Sequence, residues 1–436
     1  MSERITVVGA GVSGRALALY AARRGADVFV TDSRAELPEE TRTAFDASGI
    51  SWECGAHTPL CCESDLMVVS SGVPESSPAV VMAREKAIPV LGELDYLAPD
   101  LRGKTIAITG TNGKTTCTAL TAHILRENGI DAVACGNIGE PLAAHAGEDH
   151  DALVMELSSF QLHWNTRFAP NVAVLTNLAP DHIDWHGSYE NYIADKCRIF
   201  LPAREGGYAV VHEADAHHVP RARQTVSLGN GACRIDLSGD EVALVLTEKR
   251  RALFHKSALP LIGAHNLENA AMSAAAAALA FPGIDAEKPL ASFQAPRHRC
   301  EKVAVKNGVL YVDDSKGTNV AAAITALRSV PGRKAVILGG QGKGETYEEL
   351  AKAVKEQAFA AIIIGSEAQP ICDALAAAGY TSVIRAGGME EAVAKAAEIS
   401  RSGDTVLLSP ACTSWDMYRN YKERGEHFAA LVGKLS

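Results

Sequence analysis

The chain has 436 residues, 47% of them hydrophobic and 22% charged, with a formal net charge of −10. That length suits about three ordinary domains, and the apolar fraction suits a chain that buries a large core. The acidic balance and the lack of any densely basic stretch exclude nucleic acid as a principal partner.

In chain order, Ile5-Thr6-Val7-Val8 reads as a first strand, followed by Gly9-Ala10-Gly11-Val12-Ser13-Gly14 and a helix to about Arg24. Asp27 to Val30 is a second strand, ending at Thr31-Asp32. G-x-G-x-x-G between strand and helix, with an acid closing the next strand, is a dinucleotide pattern. The same glycines also serve plain helix–strand packing, so a doubly wound turn without nicotinamide stands beside that reading. Leu66 to Ser70 is a buried strand meeting the turn Ser71-Gly72-Val73-Pro74, and a strand near Ile88 to Leu91 completes a small α/β domain. The polar, proline-containing segment from Gly92 to Gly103 reads as a linker.

The strongest motif follows. The β-branched run Thr105 to Thr109 enters Gly110-Thr111-Asn112-Gly113-Lys114-Thr115-Thr116, and a helix runs from Thr116 to about Asn128. Strand, glycine turn, Gly-Lys-Thr and helix together cradle a nucleoside triphosphate. Backbone N–H groups approach the phosphates, the helix N-terminus adds positive potential, Lys114 reaches the outer phosphates and the Thr115 hydroxyl reaches Mg²⁺. The spacing is shorter than the usual loop, because Ile108 stands where its first glycine would be. Asp151 to Glu156 and Val172 to Asn177 are further strands, the second leading to Asp181-His182-Ile183-Asp184-Trp185-His186. Ligands gather outside the C-terminal ends of parallel strands, so Lys114, Glu156 and His182 are expected to converge. The D-H-x-D-x-H run could ligate zinc, but Glu and Thr beside a triphosphate favour Mg²⁺. Tyr189 to Phe200 reads as a helix carrying Lys196, and Leu201 to Leu261 as short alternating strands. An alanine-rich helix, Ala270 to Phe281, is too short to span a bilayer.

After Arg297-His298-Arg299, five strand–helix alternations begin with strands at Val309–Val312, Ala335–Leu338, Ala361–Ile364, Ser382–Arg385 and Thr405–Leu408. Polar turns follow the first (Asp313 to Asn319) and the last (Ser409 to Asp416). Gly339 to Gly344 carries Lys343 and either imitates a phosphate loop or is a flexible turn. Ten scattered cysteines, one adjacent pair (Cys61-Cys62) and no C-x-x-C read as reduced thiols. With no signal peptide apparent, a cytoplasmic protein is expected.

Together the motifs resemble the Mur ligases, ATP-dependent amide-forming ligases of peptidoglycan precursor synthesis. The resemblance rests on G-T-N-G-K-T-T, E-L-S-S-F-Q-L at 156–162, Asp181-His182, H-N-x-x-N at 265–269, His298-Arg299 and D-S-K-G-T-N at 314–319. N-Y-x-x-D-K-C-R-I-F at 191–200 and the run from Ser409 to Phe428 point to the branch that adds D-glutamate to UDP-N-acetylmuramoyl-L-alanine. It implies three α/β domains: a Rossmann-like UDP-binding domain (1–93), a P-loop ATPase-like domain with a parallel sheet and a small β-insertion (94–298), and a Rossmann-like amino-acid domain (299–436). Val12, Ser13, Asp32, Ser33, Arg34 and Gly72 would hold uridine and pyrophosphate, and Asn137, Ser158, Ser159 and Gln161 the sugar-peptide arm. ATP would sit on Gly110 to Thr116 with Asn266, Asn269, Arg299 and Asp314. D-glutamate would meet Lys316, Thr318, Lys343, Ser414 and Tyr421. Two Mg²⁺ ions are implied, one near Thr115 and Glu156, the other near Glu156, His182 and a Lys196 carbamylated by CO₂; the alternative keeps Lys196 an ammonium paired with Asp195 or ATP. The resemblance also implies closure of the third domain on the second and action as a monomer. A folate polyglutamylating ligase and a nicotinamide dehydrogenase are the rival readings. The first usually has G-K-G-S where this chain has G-K-T-T, and the second leaves Lys114 and Glu156 without a role.

Overall fold

The computed structural model describes residues 2–202, 206–260, 263–294 and 297–435. Leu261, the expected end of the short-strand region, lies outside them. The chain divides into two compact units, Met1–Leu178 with Trp185–Leu259 and Asn269–Ser292, and Ala179–Asp184 with Pro260–Glu268 and Phe293–Ser436.

The first unit holds two sheets. Strands β1 (Arg4–Val8), β2 (Asp27–Asp32), β3 (Ser51–Cys54), β4 (Leu66–Val69) and β5 (Val90–Gly92) form a parallel sheet in the order β3-β2-β1-β4-β5. The order reverses beside β1, which leaves a crevice at its C-terminal end where the Gly9–Gly14 turn sits. Gly14 is there for packing: a Cβ on it would stand 1.8 Å from the Gly9 carbonyl oxygen. The expected linker is instead folded. Glu93–Leu97 is a short helix with Glu93, Leu94, Asp95 and Leu97 buried. Asp95 fixes it by accepting from Thr166 N (2.9 Å), Arg167 N (2.9 Å) and Phe168 N (3.0 Å).

The second sheet has nine strands: β6 (Lys104–Thr109), β7 (Ala132–Gly136), β8 (Ala152–Glu156), β9 (Val172–Leu175), β10 (Tyr208–His212), β11 (Gln224–Leu228), β12 (Cys233–Asp236), β13 (Glu241–Leu246) and β14 (Lys249–His255). Their order is β14-β13-β12-β11-β10-β9-β6-β8-β7. Pairings from β7 through β12 are parallel, and β12–β13 and β13–β14 are antiparallel. The short strands after residue 201 thus extend one edge of this sheet. Central β6 and β8 read as continuous apolar runs because both faces are covered: Ile106, Ala107 and Ile108, and Leu153, Val154 and Met155, are fully buried.

The second unit is built on β15 (Glu301–Lys306), β16 (Val309–Asp313), β17 (Arg333–Gly339), β18 (Ala358–Ile364), β19 (Val383–Arg385) and β20 (Asp404–Leu408), ordered β15-β16-β20-β17-β18-β19. Only β15–β16 is antiparallel. The strand period separates two cores: Val336, Leu338, Ile363 and Leu407 pack on one face, and Ala335, Ile337, Ile362 and Leu408 on the other. Among the described residues no helix is long and apolar enough to cross a membrane.

Candidate active site

In the first unit, β6 delivers its loop to the N-terminus of helix Lys114–Glu127, with Gly113 as N-cap at φ 83°. The loop is braced from β9: Thr111 N donates to Asn177 O (2.9 Å), Asn112 N to Asn177 Oδ1 (2.9 Å), and Asn177 Nδ2 to Asn112 O (3.0 Å). Thr111 Oγ1 and Tyr192 OH are 2.9 Å apart. Lys114 Nζ folds back to donate to Gly110 O and Thr111 O, each at 2.8 Å. Lys196, 1% exposed, also donates to Gly110 O (2.8 Å) and to Thr109 Oγ1 (3.4 Å), with its ammonium 4.7 Å from the Tyr192 ring centre. Lys114 and Lys196, far apart in sequence, therefore meet on one carbonyl. Asp195 does not serve Lys196 as a carboxylate partner in the way the ammonium alternative expected; its oxygens face His163, His186 and Arg198.

Glu156, at the end of β8, is 3% exposed. Its Oε1 accepts from Asn137 Nδ2 (3.0 Å), whereas its buried Oε2 has no hydrogen-bond partner among the described residues. A buried carboxylate oxygen left open beside a phosphate loop suits a hard cation, so the donor set fits Mg²⁺. Ser158 caps helix Ser159–His163 in a capping box with Gln161, accepting from Gln161 N at 3.2 Å while Ser158 N donates to Gln161 Oε1 at 2.9 Å. Gln161 Nε2 in turn donates to Glu93 Oε2 (3.3 Å), and burial raises the Glu93 carboxyl to about 7.

On the first sheet, Asp32 accepts from Ala10 N (2.6 Å) and Arg34 N (2.8 Å) and pairs with the Arg34 guanidinium (2.8 Å). Burial pushes the Asp32 carboxyl up, but the Arg34 and Ala10 hydrogen bonds outweigh it and leave it below the usual range. Val12 is 70% exposed at the tip of the glycine turn, and Ser33 and Gly72 are exposed, Gly72 at φ 90°. The Gly9–Gly14 turn and Asp32-Ser33-Arg34 stand at the ends of the paired strands β1 and β2, so they lie at the same C-terminal edge of this sheet.

Asn266 and Asn269 lie one turn apart at the start of helix Ala264–Ala280, and both are buried. Asn269 belongs to the first unit, where its Oδ1 accepts from Cys117 Sγ (3.4 Å); Asn266 belongs to the second.

The second unit also carries His182 and the groups expected for the amino acid. His182 sits at φ 53°, its N–H donating to Asp181 Oδ1 (3.1 Å). Asp181 in turn lies 3.5 Å from Lys343 Nζ and accepts from Asn319 Nδ2 (3.4 Å). Lys316 Nζ lies 4.1 Å from the Tyr421 ring centre, and Thr318 N donates to Lys316 O (2.8 Å). Asp314 is held by Ser409 Oγ (2.7 Å) and Cys300 N (3.2 Å), and burial lifts its carboxyl to about 7 against the pull of Ser409 and Arg299. Ser414 is 2% exposed.

Sequence reasoning passed over the residue that organises this unit. Arg424, fully buried, donates to Ser315 Oγ (3.0 Å), Ser315 O (2.8 Å), Cys412 O (3.1 Å) and Thr413 O (3.1 Å). It ties the turn after β16 to the turn after β20. The R-G-x-x-F spacing from Arg424 to Phe428 held the only sequence signal for it.

Fold and site together define a nucleotide-dependent enzyme: a glycine-bounded phosphate loop on a mostly parallel sheet, in a chain whose two other α/β sheets also carry polar turns at strand ends. Family models for the Mur ligase MurD-like N-terminal domain, the Mur ligase middle domain and the Mur ligase glutamate ligase domain match residues 3–92, 108–277 and 298–412. The chain belongs to the Mur ligase family. It is 39% identical to the UDP-N-acetylmuramoylalanine–D-glutamate ligase of Pelotomaculum thermopropionicum, covering 99% of this chain and 98% of that one. Against the protein of the same name from Acidobacterium capsulatum it is 40% identical, covering 99% and 96%. In fold it is similar to the UDP-N-acetylmuramate-alanine ligase MurC of Thermotoga maritima (TM-score 0.59, 21% identity, 99% of each chain). It is also similar to the MurF ligase of the same organism (TM-score 0.61, 18% identity, 85% of this chain and 96% of that one).

Proposed function

We propose that this protein is the ATP-dependent ligase that joins D-glutamate to UDP-N-acetylmuramoyl-L-alanine, releasing ADP and phosphate in peptidoglycan precursor synthesis. The observation that carries the reading is full-length likeness to proteins of that name at 39% and 40% identity, with the phosphate loop and the polar strand-end turns built in this chain.

Three domains, 1–93, 94–298 and 299–436, divide the work. The C-terminal edge of the first sheet takes the UDP end, with Val12, Ser13, Asp32, Ser33, Arg34 and Gly72 holding uridine and pyrophosphate. Asn137, Ser158, Ser159 and Gln161 take the sugar-peptide arm. Gly110 to Thr116 hold the ATP phosphates, with Asn266, Asn269, Arg299 and Asp314 for the rest of the nucleotide. Lys114 leaves its backbone carbonyls for the outer phosphates, where it stabilises charge as the γ-phosphoryl passes to the terminal carboxylate of the muramoyl-alanine. The amine of D-glutamate then attacks the acyl phosphate, and the tetrahedral intermediate collapses with loss of phosphate. Lys316, Thr318, Lys343, Ser414 and Tyr421 orient D-glutamate, with Lys343 for its side-chain carboxylate. Thr115, Glu156, His182 and a carbamylated Lys196 would hold two Mg²⁺ ions, which would supply charge neutralisation at the phosphates. The open Oε2 of Glu156 supports that assignment. We take the enzyme to work as a cytoplasmic monomer.

The deciding experiment is phosphate release from ATP with UDP-N-acetylmuramoyl-L-alanine and a panel of amino acids. Release specific to D-glutamate is expected. Equal release with L-glutamate on a folate acceptor, or binding of NAD in a calorimetric titration, would overturn the reading in favour of a rival.

A further inference from the structure

The most fully built cluster of titratable side chains without an assigned role lies around helix Tyr189–Cys197. Asp195 is 6% exposed, and its Oδ2 is 2.8 Å from His186 Nδ1 and 2.9 Å from His163 Nδ1. Arg198 Nε lies 3.4 Å from Oδ1. An ionised carboxylate only accepts, so both imidazoles donate from Nδ1. The other nitrogen of His186, Nε2, is 3.0 Å from Ser159 Oγ. Phe160 stacks on the His186 ring at 5.6 Å, and Tyr192 meets it edge-on at 5.3 Å. One imidazole is thus fixed by a hydrogen bond at each nitrogen and an aromatic ring on its face.

The Ser159–His186–Asp195 connectivity is that of a hydrolytic triad. Burial argues against that use, because Ser159 is 3% exposed and the His186 side chain is fully buried, which leaves no access for an acyl group. The ends of the line matter more. Ser159 opens the helix that follows β8, and Asp195 adjoins Lys196, whose ammonium reaches Gly110 O at 2.8 Å. His163 Nε2 also lies 3.5 Å from Glu75 Oε1, and the flanking indoles donate to the same turn of the first sheet, Trp164 Nε1 to Val73 O (2.8 Å) and Trp185 Nε1 to Gly72 O (3.4 Å).

We infer that Asp195, His186 and His163 are positioning residues that lock Ser159 and the Lys196 helix in register with the phosphate loop and tie both to the Gly72 turn. The inference rests on the proposed function for the identity of the substrates. The geometry it uses lies wholly within the first unit.

The test compares Asp195→Asn and His163→Gln with the wild-type full chain by thermal melting, calorimetric titration with MgADP, and steady-state kinetics. Asp195→Asn cannot accept from both imidazoles at one charged oxygen. It is expected to weaken MgADP binding about fivefold or more and to lower kcat about tenfold, with KM rising more for the UDP substrate than for D-glutamate. His163→Gln leaves the Ser159–His186–Asp195 line intact and should give a smaller change in the same direction. Values for Asp195→Asn within about twofold of wild type would overturn the inference, as would equal losses in every parameter that merely follow a lowered melting temperature. If Asp195→Asn does not fold, His163→Gln decides: no change in either MgADP affinity or the KM ratio overturns it. A wild-type protein without D-glutamate-dependent turnover counts against the proposed function instead, and the MgADP titrations then decide this inference alone.

Discussion

Gly113→Ala tests whether the phosphate loop is held by its backbone, and the structure sets the size of the effect. Gly113 has φ 83°, where an L residue is disfavoured by roughly 1–2 kcal/mol. A Cβ there would stand 2.5 Å from Asn269 Oδ1. That oxygen accepts from Cys117 Sγ at 3.4 Å, so moving it aside breaks a hydrogen bond worth on the order of 1 kcal/mol or less. Strain and displacement together amount to about 1–3 kcal/mol. The protein can keep the strained loop, and lose stability, or relax it, and lose the cradle. The first outcome lowers the melting temperature by several degrees, on the order of 2–4 °C per kcal/mol for a large domain. The second weakens MgADP about tenfold for each 1.4 kcal/mol that nucleotide binding must restore. Thermal melts and calorimetric titration with MgADP measure both. A variant that melts with the wild type and binds MgADP within about twofold refutes the argument, because neither route has then been taken.

Further tests address the neighbouring groups. Lys343→Ala should raise KM for D-glutamate about tenfold or more, the loss of one charge-assisted hydrogen bond, with KM for ATP little changed; an unchanged KM for D-glutamate removes Lys343 from that pocket. Lys196→Ala should lose most turnover and recover part of it with added short carboxylic acids, and near-normal turnover without them would end the carbamate assignment. Glu93 links acidity to stability: burial raises its folded-state carboxyl from 4.5 to about 7, so its contribution is present at low pH and lost as pH rises through about 7. Glu93→Gln should therefore flatten the fall in melting temperature between pH 5 and 8, and parallel curves for variant and wild type would show that Glu93 does not titrate there.

How far the sequence could be read depended on whether a feature was local. β1, β6, β8 and β16 declare themselves because their apolar runs meet glycine or acidic turns at once. β3 and β15 escaped because Ser51-Trp52-Glu53-Cys54 and Glu301 to Lys306 are edge strands, half open to solvent, whose mixed residues carry no clear apolar face. The segment after Gly92 misled for a related reason. Glu93 and Asp95 look like solvated charges, and only their partners, Gln161 and the backbone of residues 166–168, show them to be buried. The same limit divides the site. Gly110 to Thr116 is contiguous, so its strand–turn–helix form was legible directly, whereas Arg424, His163 and Asp195 acquire meaning from residues that only folding brings near.

The two lysines on Gly110 O show what folding adds. Each ammonium lies 2.8 Å from the same oxygen, so they are at most twice that distance apart. Two unit charges at that separation repel by about 3 kcal/mol at an effective dielectric of about 20. One carbonyl dipole offsets part of this, and the Tyr192 ring, 4.7 Å from Lys196, offsets a little more. Two arrivals would relieve that repulsion: triphosphate drawing Lys114 away from the carbonyl, and CO₂ converting the Lys196 amine into an anionic carbamate. Both follow from the proposed chemistry. A charge-removing change at Lys114 is thus the complement of one at Lys196. Lys114→Met should weaken MgADP binding at least tenfold, and a Lys114→Met protein that binds MgADP within about twofold of the wild type would remove Lys114 from the phosphate site.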